Sequence, residues 1–205
     1  MRFSANTGFL WKELPFLERI ARAASAGFHA LEFHDEAQGE ESGALSDALG
    51  QAGLQVLGLN TRMGEPVGCA AIPGAGDQAR RDFDAALALA ERVDAAAIHV
   101  TAGKTAEPGA RDAYLAHLDW AGQQTTHTLL IEPICRAAMP GYFLHIVGHV
   151  QIASAPERAE PDVGDLDYAS LLPALIAEGY DGAFGCEYRA RGPVEDGLGW
   201  LRAWS

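Results

Sequence analysis

Cysteine is scarce in this chain. Cys69, Cys135 and Cys186 are the only three. Odd in number, far apart and without a C-x-x-C pair, they argue against a disulfide framework and against a thiolate zinc site. Long apolar runs are missing as well. No stretch reaches transmembrane length, and the opening residues Met1-Arg2-Phe3-Ser4-Ala5-Asn6 lack the apolar core of a signal peptide. A soluble, cytoplasmic protein is the expectation. Cations are few: 15 Lys and Arg stand against 28 Asp and Glu, for a formal net charge of −13 and a pI near 4.8. Such a surface repels nucleic-acid phosphates and anionic membranes, so neither is an expected partner. A small anionic substrate stays admissible, because a few local cations can reverse the field inside a cleft. The glycines of Pro73-Gly74-Ala75-Gly76 lack the Gly-Lys-Ser/Thr ending of a phosphate loop and read as a turn.

What is present is a chain that is 48% hydrophobic, enough for one sizeable core. Short apolar runs alternate with longer amphipathic ones. Strands are expected at residues 2–6, 30–34, 55–60, 96–101, 128–134, 146–153 and 184–188. Helices are expected at 15–26, 42–52, 77–93, about 109–124, 168–178 and 194–203, with Pro15 in a first turn, Asp167 as an N-cap, and Gly27 and Gly53 as stops. Continuous apolar strands separated by helices mean a parallel sheet covered on both faces. The fold class is therefore α/β, a TIM-type (β/α) barrel with outer helices, as one domain over 1–205 and with seven strands.

One junction does not fit. Between Ile134 and Ile146 no helix is expected, and Pro140-Gly141 stands in the middle. A parallel crossover needs about a dozen residues or more, usually a helix. One strand and its helices are missing there, near 144–146. A seven-strand remnant must close with a strand absent, leave an open edge, or pair that edge with another copy of the chain.

Active sites of parallel barrels sit at the C-terminal ends of the strands. The polar residues there are Asn6, Glu32, His34, Asn60, Thr61, Arg62, His99, Lys104, Glu132, Gln151, Glu187 and Arg189. Glu132 ends the apolar run Thr128-Leu129-Leu130-Ile131, and Glu187 follows Phe184-Gly185-Cys186. Either carboxylate alone could form a salt bridge to a barrel arginine; two such glutamates on two strand ends favour chemistry. With Gln151 they make an oxygen-rich set suited to Mg²⁺ or Mn²⁺. His29, His117 and His127 read as surface residues, His99 and His149 as core residues, and His34 as nearer to a site. Trp11, Trp120 and Trp200 read as packing residues.

Several blocks resemble the hydroxypyruvate isomerase family of the xylose-isomerase-like barrels: Ala26-Gly27-Phe28 with Leu31-Glu32-Phe33, Leu130-Ile131-Glu132-Pro133-Ile134, Pro140-Gly141-Tyr142-Phe143-Leu144, Gly148-His149-Val150-Gln151-Ile152-Ala153 and Gly185-Cys186-Glu187-Tyr188-Arg189. The resemblance implies interconversion of hydroxypyruvate and tartronate semialdehyde, or of 2-oxo-tetronates in close relatives. It implies that Glu132 and Glu187 are the acid/base pair and also metal ligands, with Gln151 a third ligand. The fourth ligand of the family is an aspartate in a Q-F-D-x-Y-H strand, which this sequence lacks; the family carries that strand at the short junction.

Moving a carbonyl to the adjacent carbon requires removal of a proton and stabilisation of an enediolate, a task for a divalent cation and two carboxylates. No nicotinamide or flavin is needed. A 2-oxo acid substrate needs a cation for its carboxylate; Arg158 comes first, then Arg62 and Lys104, and each could equally be a solvated surface charge. Two other readings stand beside this one: a non-catalytic remnant on the same scaffold, and a metal-dependent abasic-site endonuclease. The charge of −13 and the scattered histidines weigh against the endonuclease.

Overall fold

The computed structural model describes residues 2–132, 134, 139, 141–143, 150–177, 180 and 182–204. Seven strands form one parallel sheet: β1 (Phe3–Asn6), β2 (Ala30–Phe33), β3 (Gln55–Asn60), β4 (Ala97–His99), β5 (Thr128–Leu130), β6 (Val150–Ile152) and β7 (Phe184–Cys186). Their order is β5-β4-β3-β2-β1-β7-β6, with every neighbouring pair parallel. β1, β2 and β7 are buried along their whole length. β5 and β6 are the two edges, and both are more exposed. Among the described residues no strand lies between them. The sheet nevertheless curls: Gln151 on β6 reaches Glu32 on β2, three strands away, with an amide-to-carboxylate distance of 3.4 Å. On a flat sheet about 14 Å would separate those strands. This is the curled (β/α) architecture expected from the sequence. The junction near 144–146, together with His149, lies outside the described residues.

The helices are α1 (Phe16–Ser25), α2 (Ser42–Ala52), α3 (Gly76–Val93), α4 (Ala110–Gln124), α5 (Tyr168–Ala177) and the short α6 (Val194–Gly197), which runs on as a 3₁₀ helix over Leu198–Trp204. α1 and α3 each bury a stripe of small and apolar residues. On α1 these are Phe16, Ile20 and Ala23, and on α3 they include Ala79, Phe83, Ala86 and Ala90. Gly53 closes α2 in the left-handed conformation at φ 64°. Asp167 caps α5 by accepting the Ser170 backbone N–H at 3.3 Å.

Expected strands 4, 5 and 7 are shorter than the apolar runs suggested. Their last residues leave the ladder, which is where the polar side chains begin. The chain closes in 3₁₀ geometry rather than in one helix over 194–203. His117 is not a surface residue. It falls on the buried stripe Ala110, Tyr114, His117, Ala121 of α4 and packs on Phe83 and Trp120. Burial lowers its pKa, with Arg80 adding to the effect. The large exposed apolar side chains (Leu115, Ile131, Val163, Leu166, Leu171 and Ile176) all lie on α4, just beyond β5, or between β6 and the end of α5. These segments adjoin β5 and β6, the two end strands of the sheet, in the chain. No helix among the described residues is long and apolar enough to cross a membrane.

Candidate active site

The register of the sheet assembles the site. Asn6 on β1 stands beside Glu32 on β2, while Ser4, one pleat lower, stands beside Gly185 on β7 and Gly185 beside Gln151 on β6. Carboxylates from three strand ends thereby meet at the C-terminal mouth. Glu187, two residues beyond Gly185, is buried and pairs with Arg158 Nη2 through Oε1. Burial pushes the Glu187 carboxyl well above the usual carboxylate range; Glu132 and Glu32 push the same way, and Arg158 opposes them. Glu132 is less enclosed, with 21% of its side chain exposed, and lies 3.6 Å from His99 Nε2. Glu32 is buried; its Oε1 accepts the Ser4 hydroxyl and its Oε2 the Gln151 amide.

Arg158 is held firmly. Its backbone sits at φ 56°, a left-handed conformation that costs a non-glycine residue about 1–2 kcal/mol. Four hydrogen bonds over-determine it: Arg158 N–H to Ser154 O at 2.9 Å, Ser154 N–H to Ala159 O at 2.9 Å, Ala159 N–H to Ser154 Oγ at 2.8 Å, and Arg189 N–H to Arg158 O at 2.7 Å. The guanidinium lies 5.0 Å above the Phe9 ring, which in turn meets the His34 ring edge-on at 5.0 Å. His34 thus stands on the same side as Arg158. Burial pushes its pKa down to about 4, Lys12 and Arg158 acting in the same sense and Asp35 and Glu32 against it. Gly8 makes room for this ring, since a Cβ there would lie 2.4 Å from His34 Nδ1.

Of the residues singled out in the sequence, Glu132, Glu187, Gln151, Arg158 and His34 share this one region. Arg62 and Lys104 are exposed. The Lys104 backbone bridges to Tyr142 and donates its N–H to Pro66 O at 2.8 Å. Tyr142 is a site residue that the sequence reading missed. Its phenol is buried, accepts the Ala102 N–H at 3.1 Å, and is held above the usual tyrosine range by burial, with Glu132 and Glu187 adding to the shift. The Pro-Gly-Tyr block was the available signal, but a tyrosine in a loop carries no strand periodicity to mark where it points. Ser4 was missed for another reason: a serine inside an apolar strand ordinarily satisfies itself on the backbone.

A family model described as "Xylose isomerase-like TIM barrel" matches residues 20–147. The chain belongs to this family. Within it, the chain is similar to a 2-oxo-tetronate isomerase of Cupriavidus necator, 34% identical over 254 aligned positions that cover 98% of this chain and 97% of that protein. It is also similar to a Mus musculus protein named "Putative hydroxypyruvate isomerase", 32% identical over 264 positions covering 100% of this chain and 95% of that one. Among solved structures it is similar to an AP endonuclease, family 2, from Brucella melitensis, with a TM-score of 0.90, 30% identity and coverage of 99% and 98% of the two chains. Both sequence alignments are longer than the 205 residues of this xylose isomerase-like chain, so both relatives carry positions that have no counterpart here.

Proposed function

We propose that this chain is an isomerase that interconverts hydroxypyruvate and tartronate semialdehyde, using Glu132 and Glu187 as a proton-transfer pair. The observation that carries the reading is the convergence of those two carboxylates at the ends of β5 and β7, with Arg158 anchored beside them. Their environments differ in the way that separates an acid from a base. Glu187 is buried with its pKa raised, which favours it as the proton donor, while the Arg158 contact opposes its protonation. Glu132 is partly open to solvent and is suited to accept one. In the forward direction Glu132 takes a proton from C3 of hydroxypyruvate, leaving an enediolate, and the C3 hydroxyl proton passes to the C2 oxygen. Glu187 then delivers its proton to C2, giving the aldehyde at C3, and proton exchange with solvent returns both carboxyls to their starting states. Positioned acid/base groups of this kind contribute roughly 10²–10⁴-fold. Arg158 supplies the cation for the substrate carboxylate, exchanging part of its contact with Glu187 for the ligand.

The donor set fits a divalent cation. Glu132, Gln151 and Glu187 offer hard oxygen donors of the kind Mg²⁺ or Mn²⁺ takes. Three acidic side chains, Glu32, Glu132 and Glu187, face this region, with Arg158 paired to Glu187. Such a cation, when bound, would stabilise the negative charge that develops on the substrate oxygens. The excess length of the family alignments supports the reading that one strand–helix unit, with its aspartate ligand, is deleted from this chain. A water in that ligand's place would weaken cation binding.

The names of the relatives support either a three-carbon or a four-carbon 2-oxo acid as substrate. Incubation of the purified protein with Mn²⁺ and each acid, followed by product analysis, tests the reading. Turnover of hydroxypyruvate, lost in Glu132→Gln and in Glu187→Gln with the fold intact, is the expected result. A folded wild-type protein that converts neither acid would leave the non-catalytic reading, which the absence of a strand between β5 and β6 among the described residues favours.

A further inference from the structure

We infer that Glu32 is a positioning residue that fixes which end of the Gln151 side-chain amide faces the centre of the site. The inference rests on the reading of Gln151 as an oxygen donor to a cation. An amide has two chemically opposite ends, a carbonyl oxygen that accepts and an NH₂ that donates. Only the oxygen can face a cation, so the side chain is useful in one of its two orientations. An ionised carboxylate accepts only, and therefore takes the NH₂ end and leaves the oxygen for the other side.

The structure supplies that arrangement. Gln151 Nε2 donates to Glu32 Oε2 at 3.4 Å. The reach from β6 to β2 crosses β7 and β1, and at the level of Gln151 those strands present Gly185 and Ser4. A glycine and a serine leave the interior open for the long side chain. Ser4 then contributes a second constraint. Its hydroxyl donates to Glu32 Oε1, so one carboxylate oxygen is engaged by β1 and the other is turned toward Gln151. Glu32 is itself only 6% exposed. A buried carboxylate with a donor on each oxygen is a rigid reference for the amide. Partners beyond the ligands of this kind are typically worth about 10–100-fold in metal affinity.

Two measurements test this. The first needs no metal: the side-chain NH₂ resonances of Gln151, assigned with Gln151→Ala, are followed by hydrogen exchange in the apo protein. Slow exchange in the wild type and clear acceleration in Glu32→Met, which keeps the length of the side chain and removes the acceptor, are expected. Equal exchange rates in the two proteins overturn the inference. The second compares Mn²⁺ binding by electron paramagnetic resonance in two double variants of identical charge. In Glu32→Gln/Gln151→Glu the new amide can donate to the new carboxylate and restore an oriented pair. In Glu32→Met/Gln151→Glu it cannot. About ten-fold tighter Mn²⁺ binding by the former is expected. Equal affinities mean that Glu32 acts through charge alone, which also overturns the inference. If the wild type takes up no Mn²⁺, the reading of Gln151 as a ligand fails, and the exchange experiment still decides whether Glu32 holds the amide.

Discussion

Replacing Arg158 with methionine isolates the electrostatic arrangement on which the proposed chemistry depends. Methionine keeps a long side chain over the Phe9 ring and removes the guanidinium from Glu187. The pair is largely enclosed, with 20% and 8% of the two side chains exposed, so removing one partner strands a buried carboxylate. Breaking such a pair costs about 3–5 kcal/mol while the remaining group stays charged. Glu187 can escape that cost by taking a proton, at about 1.4 kcal/mol for each unit by which its pKa falls short of the ambient pH. Its folded-state pKa is already raised, by burial first and then by Glu132 and Glu32, and loss of Arg158 raises it further. A carboxyl with a raised folded-state pKa binds protons more readily folded than unfolded. Its stability penalty is therefore fully present at high pH and is relieved as the pH falls through the folded value toward the unfolded one. Arg158→Met should lose about 3 kcal/mol at pH 8 and only about 1 kcal/mol at pH 5, read from urea denaturation of both proteins at each pH. A loss that is independent of pH, or that grows on acidification, would refute the claim that Arg158 opposes protonation of Glu187.

Four other outcomes follow from the same geometry. Saturation with Mn²⁺ at a hundred times its dissociation constant should stabilise the wild type by about 2.7 kcal/mol, visible as a thermal shift that excess chelator reverses. Glu132→Gln/Glu187→Gln should lose that shift. Tyr142→Phe should cost about 1–2 kcal/mol, because the Ala102 N–H loses its acceptor in a buried position. Gly68→Ala should cost about 3 kcal/mol or prevent folding, since the residue sits at φ 91° and its new Cβ would lie 2.3 Å from the Thr101 carbonyl oxygen; thermal unfolding reads this directly. His34 is held at a pKa of about 4 by burial, so it resists protonation while the unfolded chain takes a proton near 6.5. Its contribution to stability is present above pH 6.5 and is lost as the pH falls toward 4, at up to about 1.4 kcal/mol per pH unit. A His34→Asn variant should show a shallower fall over that window.

The barrel was legible because the strands are short apolar runs and helices such as α2 and α3 end at a glycine or a left-handed residue, Gly53 and Asp94. Apolar periodicity overshot the strand ends, because hydrophobic residues continue past the last ladder bond, as at Ile131. The pairing of Glu187 with Arg158 was not legible as a contact, since 29 residues separate them and only the loop hydrogen bonds from Ser154 to Arg189 bring the guanidinium round. His117 was misjudged because a polar residue on a helix was taken for an exposed one, while the α4 stripe passes directly through it. Glu32 appeared in the sequence as one strand-end acid among several. Its link to Gln151 depends on the sheet curling across three strands, which no local pattern encodes.

The central claim is that Glu132 and Glu187 exchange a proton with a carbon next to the substrate carbonyl. Deuterium incorporation at C3 of hydroxypyruvate in heavy water, followed by proton NMR with Mn²⁺-loaded protein whose excess metal has been removed, reads that step without requiring product release. The wild type should wash out the C3 protons far faster than the metal-matched blank; Glu132→Gln, folded by circular dichroism, should fall to the blank rate, while Glu187→Gln should keep C3 exchange and lose conversion to tartronate semialdehyde. Wild-type exchange at the blank rate, or near-normal exchange in Glu132→Gln, would contradict the account.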